Sequence, residues 1–192
     1  MFPNAFLDIL PQFAKELGTT HITEKNLGDL VIITGDNASG KSFLRRVIGH
    51  SAKSYGVEFR NTSMEGRSGG NFFYGGEDWQ CTSIVTIFSV TSALESSIQD
   101  ENKSIVIIDE PEIGLSVEAQ VSMGKFIKNN ITNNTNPNRL SVFIMTHSHY
   151  IVRELLDIPN TTFISLHDKY PDVESWLNRE IVPIDFDELS DI

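Results

Sequence analysis

The stretch from Leu30 to Ile48 (LVIITGDNASGKSFLRRVI) constrains this chain more than any other. An apolar run, Leu30 to Ile33, gives way to Gly35-Asp36-Asn37-Ala38-Ser39-Gly40-Lys41-Ser42. An apolar-periodic segment follows, with Phe43, Leu44, Val47 and Ile48. G-x-x-x-x-G-K-S between a strand and a helix is the setting of a phosphate-binding loop. Glycines open backbone paths closed to residues with a Cβ, so successive N–H groups can converge on an anion. The helix beginning at Lys41 adds its positive N-terminal end. The expected cradle is Gly35, Asn37, Ala38, Ser39, Gly40, Lys41, Ser42 and Phe43, with Lys41 on the β- and γ-phosphates and the Ser42 hydroxyl on Mg²⁺. The plain alternative is a Gly/Ser-rich turn that matches by chance.

A second motif runs from Ser104 to Ser116, SIVIIDEPEIGLS. Four apolar residues, Ile105 to Ile108, predict a strand buried on both faces, as in a parallel sheet. Asp109 and Glu110 follow at its C-terminal end, where open α/β sheets bind ligands. Asp109 suits the Mg²⁺ shell, and Glu110 suits polarising an attacking water. The third predicted strand, Ser141 to Met145, ends in Thr146-His147-Ser148. That puts His147 on the same sheet edge as Asp109, where an imidazole can hydrogen-bond a γ-phosphate; a structural histidine is the alternative. His21, His149 and His167 have no comparable setting.

Between these motifs the chain alternates strand and helix signals. Phe6, Leu7, Leu10 and Phe13 have helical spacing with a break at Pro11; an aromatic there packs in the core or stacks on adenine. Gly18 to Gly28 is a polar approach, and the helix from Lys41 is expected to end near His50. Gly56 to Thr62 reads as a short strand. A Gly-rich segment, Gly66 to Asp78, leads into a helix expected to carry Ile84, Ile87, Phe88, Thr91, Leu94 and Ile98 on one face. Ala119, Met123, Phe126, Ile127 and Ile131 form another helix face, ended by the Asn-rich loop Asn129 to Asn138. Thr161 to Leu166 is the last predicted strand.

GDNASGKS, IVIIDEPEIGLS and FIMTHS, in this order, resemble the Walker A, Walker B with D-loop, and switch-histidine motifs of ATP-binding-cassette ATPases. DEPE-x-GLS and THSHYIVREL are most similar to the soluble, non-transporter branch that includes RecF-like, SMC-like and overcoming-lysogenization-defect ATPases. The resemblance covers Leu30 to Leu155. It implies Glu110 as catalytic carboxylate, His147 as switch histidine and Ile113 to Ser116 as D-loop. It also implies a signature loop at Phe73, Tyr74, Gly75, Gly76 and Glu77 that completes a partner subunit's nucleotide site. Tyr74 stands where the family has Ser, and Ser68-Gly69-Gly70-Asn71 is a rival placement. No Gln lies between Ser42 and Trp79 to match the family's metal-contacting Gln, and the helical subdomain is abbreviated.

The expectation is therefore a three-layer α/β P-loop domain with a mostly parallel sheet, one domain over residues 1–192 with its core at about 28–167 and an acidic tail at about 183–192. It is expected to bind ATP and Mg²⁺, to hydrolyse ATP slowly, and to pair as a homodimer in the ATP state. A separate effector, such as a nuclease or toxin, is the expected regulated partner. A nucleotide-dependent interaction module with little turnover is the alternative from another class, and a small-molecule kinase a third. Acidic residues outnumber Lys and Arg by 26 to 15, and the formal charge is −11. Such a surface repels phosphate backbones, so strong direct nucleic-acid binding is not expected. A single cysteine, Cys81, excludes an internal disulfide framework. With no apolar run of membrane-spanning length and no signal-peptide pattern, a cytoplasmic protein off the membrane is expected.

Overall fold

The computed structural model describes residues 29–36, 39–63, 81–167 and 169–180. The apolar runs become the middle of a five-stranded, all-parallel sheet: β1 (Leu30–Thr34), β2 (Glu58–Asn61), β3 (Ser104–Asp109), β4 (Arg139–Met145) and β5 (Thr161–Ser165), in the order β2-β3-β4-β1-β5. Parallel neighbours need crossover connections, and helices supply them. These are α1 (Lys41–Ser54), α2 (Thr82–Ser97), α3 (Val117–Thr132), α4 (His149–Leu155) and α5 (Val173–Leu177). The fold is α/β, a sheet flanked by helices, as the alternation of signals predicts.

Strand periodicity divides the core in two. Leu30 and Ile32 of β1, Val106 and Ile108 of β3, and Val142 and Ile144 of β4 face one side, with Val90, Leu94, Met123, Ile127, Ile151 and Trp176 packed over them. Val31, Ile33, Ile105, Ile107, Phe143 and Met145 face the other, beneath Leu44, Ile48 and Ala52 of α1. Successive residues of a strand point to opposite faces, so strands buried on both sides carry near-continuous apolar runs. At Gly49, a Cβ would lie 2.8 Å from the Phe59 ring, so only glycine lets α1 approach β2 this closely.

The helix after the Gly-rich segment departs from expectation. Of the face Ile84, Ile87, Phe88, Thr91, Leu94 and Ile98, only Leu94 is buried; Ile84, Ile87, Phe88 and Ile98 are 41–53% exposed. The inward face is Thr86, Ser89, Val90, Leu94 and Ser97. Small hydroxyl residues can take that face because each finds a carbonyl acceptor. Ser89 Oγ donates to Val85 O (2.7 Å), Ser97 Oγ to Leu94 O (2.7 Å) and Thr86 Oγ1 to Ile113 O (2.9 Å). Smaller shifts concern boundaries: α1 runs four residues past His50, α3 extends to Thr132, and β4 begins at Arg139. The predicted N-terminal helix, the Gly-rich segment and the acidic tail lie outside the described residues.

The end of the sheet away from the strand C-termini is closed by polar side chains. Asn136 Nδ2 donates to Ser97 O and Asp100 O, and Asn138 Nδ2 to Asp100 O and Glu101 O. Arg60 of β2 forks onto Asp100, with Nε 3.1 Å from Oδ2 and Nη2 bonded to Oδ1. This Arg60 contact holds the Asp100 carboxyl below its ordinary 3.8. A carboxyl depressed in the folded state stabilises above its unfolded pKa and ceases to do so as pH falls through its folded one. Asp100→Asn should therefore lower stability at pH 7 by about 1–2 kcal/mol, with the deficit closing as pH drops below 3.8. An equal deficit on both sides of that window, by urea unfolding, would refute the pairing.

Candidate functional site

Three loops gather at the C-terminal ends of β1, β3 and β4. The first leaves β1 at Gly35, which has no space for a side chain: a Cβ would meet Ser39 Oγ at 2.4 Å and Leu166 Cβ at 2.9 Å. Gly40 closes the loop in the left-handed region, φ 97°, and serves as N-cap of α1 without any side-chain cap. No acidic residue occupies the first turn of that helix, so its positive end is not neutralised by its own side chains. Ser39 N–H bonds Asp36 O at 3.1 Å. Lys41 is buried, and its Nζ curls back to donate to Gly35 O (2.8 Å) and Asp36 O (3.0 Å). Burial pulls its ammonium below the ordinary value, and Glu110, Asp109, Glu112 and Asp36 act in the opposite direction. Ser42 is exposed at the start of α1, and Phe43 is 53% exposed. Asn37 and Ala38 lie outside the described residues, as do Tyr74, Gly75, Gly76 and Glu77 and the rival Ser68 to Asn71.

The second loop begins where β3 ends. Asp109 sits opposite Met145 in the register, and its Oδ2 lies 3.6 Å from Nε of Arg45, a nearly buried pair. Glu110 takes φ 51°, left-handed backbone that a residue with a side chain adopts at some cost, while its N–H bonds Met145 O at 2.8 Å. The turn beyond passes through Gly114, at φ 75°, and packs on the start of α2: a Cβ there would lie 2.9 Å from Thr82 Cβ.

The third loop carries His147. Its Nε2 stands 3.6 Å from Glu110 Oε1. That nitrogen is buried without a hydrogen-bond partner among the described residues. Burial, followed by the Lys41 charge, holds the imidazole below its ordinary 6.5, so it is neutral near pH 7 and one ring nitrogen remains an acceptor. Ser148 N-caps α4, accepting from Ile151 N–H at 3.1 Å. A cleft of about 720 Å³ opens beside His147, lined by Asp36, Glu112, His149, Arg153, His167 and Arg179 among others.

Lys41, Asp109, Glu110 and His147 are thus brought to one sheet edge as the sequence predicts. Three further residues belong to the same edge without having been anticipated. Arg45 faces Asp109, and its position four residues after Lys41, on the same helical face, was the available signal. His167 Nε2 lies 2.7 Å from Asp36 Oδ2, a contact across the sheet from β5 that no local pattern announces. Glu112, inside the DEPE motif, accepts from Thr146 Oγ1 and from His147 N–H, each at 2.7 Å.

No protein-family model matches the chain, and no curated protein matches it significantly. Among the described residues no helix is long and apolar enough to cross a membrane.

Proposed function

We propose that this chain is an ATPase of the ATP-binding-cassette type, binding Mg·ATP and hydrolysing it slowly. The observation that carries the reading is the meeting of Lys41, Glu110 and His147, from three distant parts of the chain, at one sheet edge. Phosphoryl transfer needs positioning and charge neutralisation more than covalent help from the protein. Lys41 would exchange its two loop carbonyls for phosphate oxygens, and the amides of Ser39 to Ser42 at the start of α1 would cradle the same group. The Glu110 carboxylate would orient a water and take its proton, and the orphaned His147 Nε2 would meet the γ-phosphate.

Bound Mg²⁺ would add charge neutralisation on the phosphate oxygens. Mg²⁺ is held beside phosphates through one or two side chains, and here Ser42 and Asp109 would supply them. The buried Arg45 cation beside Asp109 favours a second reading, a nucleotide-dependent interaction module with little turnover. In either case we assign the output to association: an ATP-linked homodimer completed by Gly75 and Gly76, acting on a separate effector protein in the cytoplasm.

Lys41→Ala tests the nucleotide site directly. Losing a charge-assisted phosphate contact worth about 1.5–3 kcal/mol should weaken Mg·ATP binding roughly tenfold to hundredfold by titration calorimetry. Unchanged affinity in a folded variant would end the proposal for both readings.

A further inference from the structure

Glu112 is a partly buried acidic residue of this edge that neither nucleotide binding nor water activation employs. Its surroundings make it an unusual choice for stability alone. It lies three residues beyond Asp109 and two beyond Glu110, and burial pushes its carboxyl up, with the Glu110 charge adding to that push. A buried carboxylate among like charges costs stability unless its hydrogen bonds are well made. Here both oxygens are engaged at short range by the strand-end turn of β4: Thr146 Oγ1 donates to Oε2 and His147 N–H to Oε1. The turn is gripped on its other side as well. Thr146 Oγ1 accepts from Ser148 N–H (3.0 Å), Ser148 Oγ donates to Gln120 Oε1 (2.7 Å), and Gln120 Nε2 donates to Leu115 O (3.1 Å). A closed circuit of hydrogen bonds therefore runs from the loop after β3, through α3, to the loop after β4 and back. Charge-assisted bonds of this kind are short and directional, and they fix geometry as well as adding energy.

We propose that Glu112 is a positioning residue for His147: its carboxylate brackets the Thr146-His147 turn and thereby holds the imidazole Nε2 facing Glu110. The inference rests on the hydrolytic reading above and deepens it, because it names what keeps the histidine aimed when no hydrogen bond reaches its Nε2. A neutral imidazole 3.6 Å from a carboxylate is not held there by an ion pair. The backbone that carries it must do the aiming, and Glu112 holds that backbone.

The test compares wild type, Glu112→Ala, Glu112→Gln, His147→Ala and the Glu112→Ala/His147→Ala double variant, all as the full chain. Single-turnover hydrolysis is measured per titrated ATP site, so that unfolded protein does not count. Glu112→Ala should lose roughly tenfold to hundredfold in rate at unchanged ATP affinity, the scale of a misplaced reacting group. Glu112→Gln should stay near wild type, since its amide oxygen can accept from His147 N–H while its NH₂ meets a rotated Thr146 hydroxyl. Glu112→Ala should cost nothing further in the His147→Ala background, because a residue acting through another is silent once that other is gone. A wild-type rate in Glu112→Ala, a Gln variant as slow as Ala, or additive losses would each overturn the proposal. The His147 ring resonances give a readout independent of turnover: displaced in Glu112→Ala, restored in Glu112→Gln. If wild type binds ATP without hydrolysing it, the hydrolytic reading fails alone and these resonances decide the role of Glu112. Should Glu112→Ala not fold, Thr146→Val removes half of the bracket with little change in volume and should displace the same resonances; unmoved, they refute the bracket.

Discussion

Glu110→Gln is expected to slow single-turnover ATP hydrolysis by about 10²–10⁴-fold, the range that a positioned general base supplies, with Mg·ATP affinity unchanged. The amide keeps the length and hydrogen-bonding reach of the acid but cannot take a proton near neutral pH. It also leaves the local backbone alone, and that matters at this position. Glu110 already sits in left-handed conformation, anchored by its N–H on Met145 O. A backbone held in a strained region by its surroundings is a recurrent feature of sites where a side chain must be aimed. Here the Glu110 carboxylate lies beside His147, its Oε1 3.6 Å from the imidazole Nε2. Equal rates for wild type and Glu110→Gln would remove Glu110 from the chemistry. The same experiment separates the two readings of function, since an interaction module has a slow wild type and little left for the substitution to remove.

Phe143→Ala should destabilise the fold by about 3–5 kcal/mol, the cost of emptying a fully buried aromatic site. Phe143 is fully buried in β4, between Val31 of β1 and Ile107 of β3 in the register, in the cluster that also holds Leu44 and Ile48 of α1. Three elements meet there, and none can close the cavity without leaving its own hydrogen bonds or packing. A lowered urea midpoint at constant slope is the expected signature. A loss below about 1 kcal/mol would mean that the sheet face under α1 is far less tightly packed than described.

How much of this was legible in the sequence differs by element. β1, β3 and β4 are plain because a strand covered on both faces carries a near-continuous apolar run, and these runs end at Thr34, Asp109 and Thr146. The common edge of Asp109 and His147 followed from strand ends alone. α2 turns a different face inward from the one its large apolar residues predict. The buried face lies about a third of a turn away, on the side of Thr86, Ser89 and Ser97, whose hydroxyls are satisfied by nearby carbonyls. Arg45 and Glu112 were visible as residues but not as partners. Their meanings depend on contacts with Asp109, Thr146 and His147, and three-dimensional proximity of that sort has no signature in spacing. His167 is the extreme case, since it reaches Asp36 from the far end of the chain.

The strand order carries a consequence for how the molecule comes into being. β1 pairs only with β4 and β5, both made later, whereas β2 and β3 pair with each other. On the ribosome, β1 therefore waits roughly a hundred residues for β4, and contacts of such long range form slowly. A nascent chain that stops short of Arg139 already contains the Gly35 to Ser42 segment, Asp109 and Glu110, yet lacks β4, the strand that pairs with both β1 and β3. Insertion of β4 joins the two halves of the sheet and delivers His147 in the same event. The proposed nucleotide site is therefore complete only once β4 is in place.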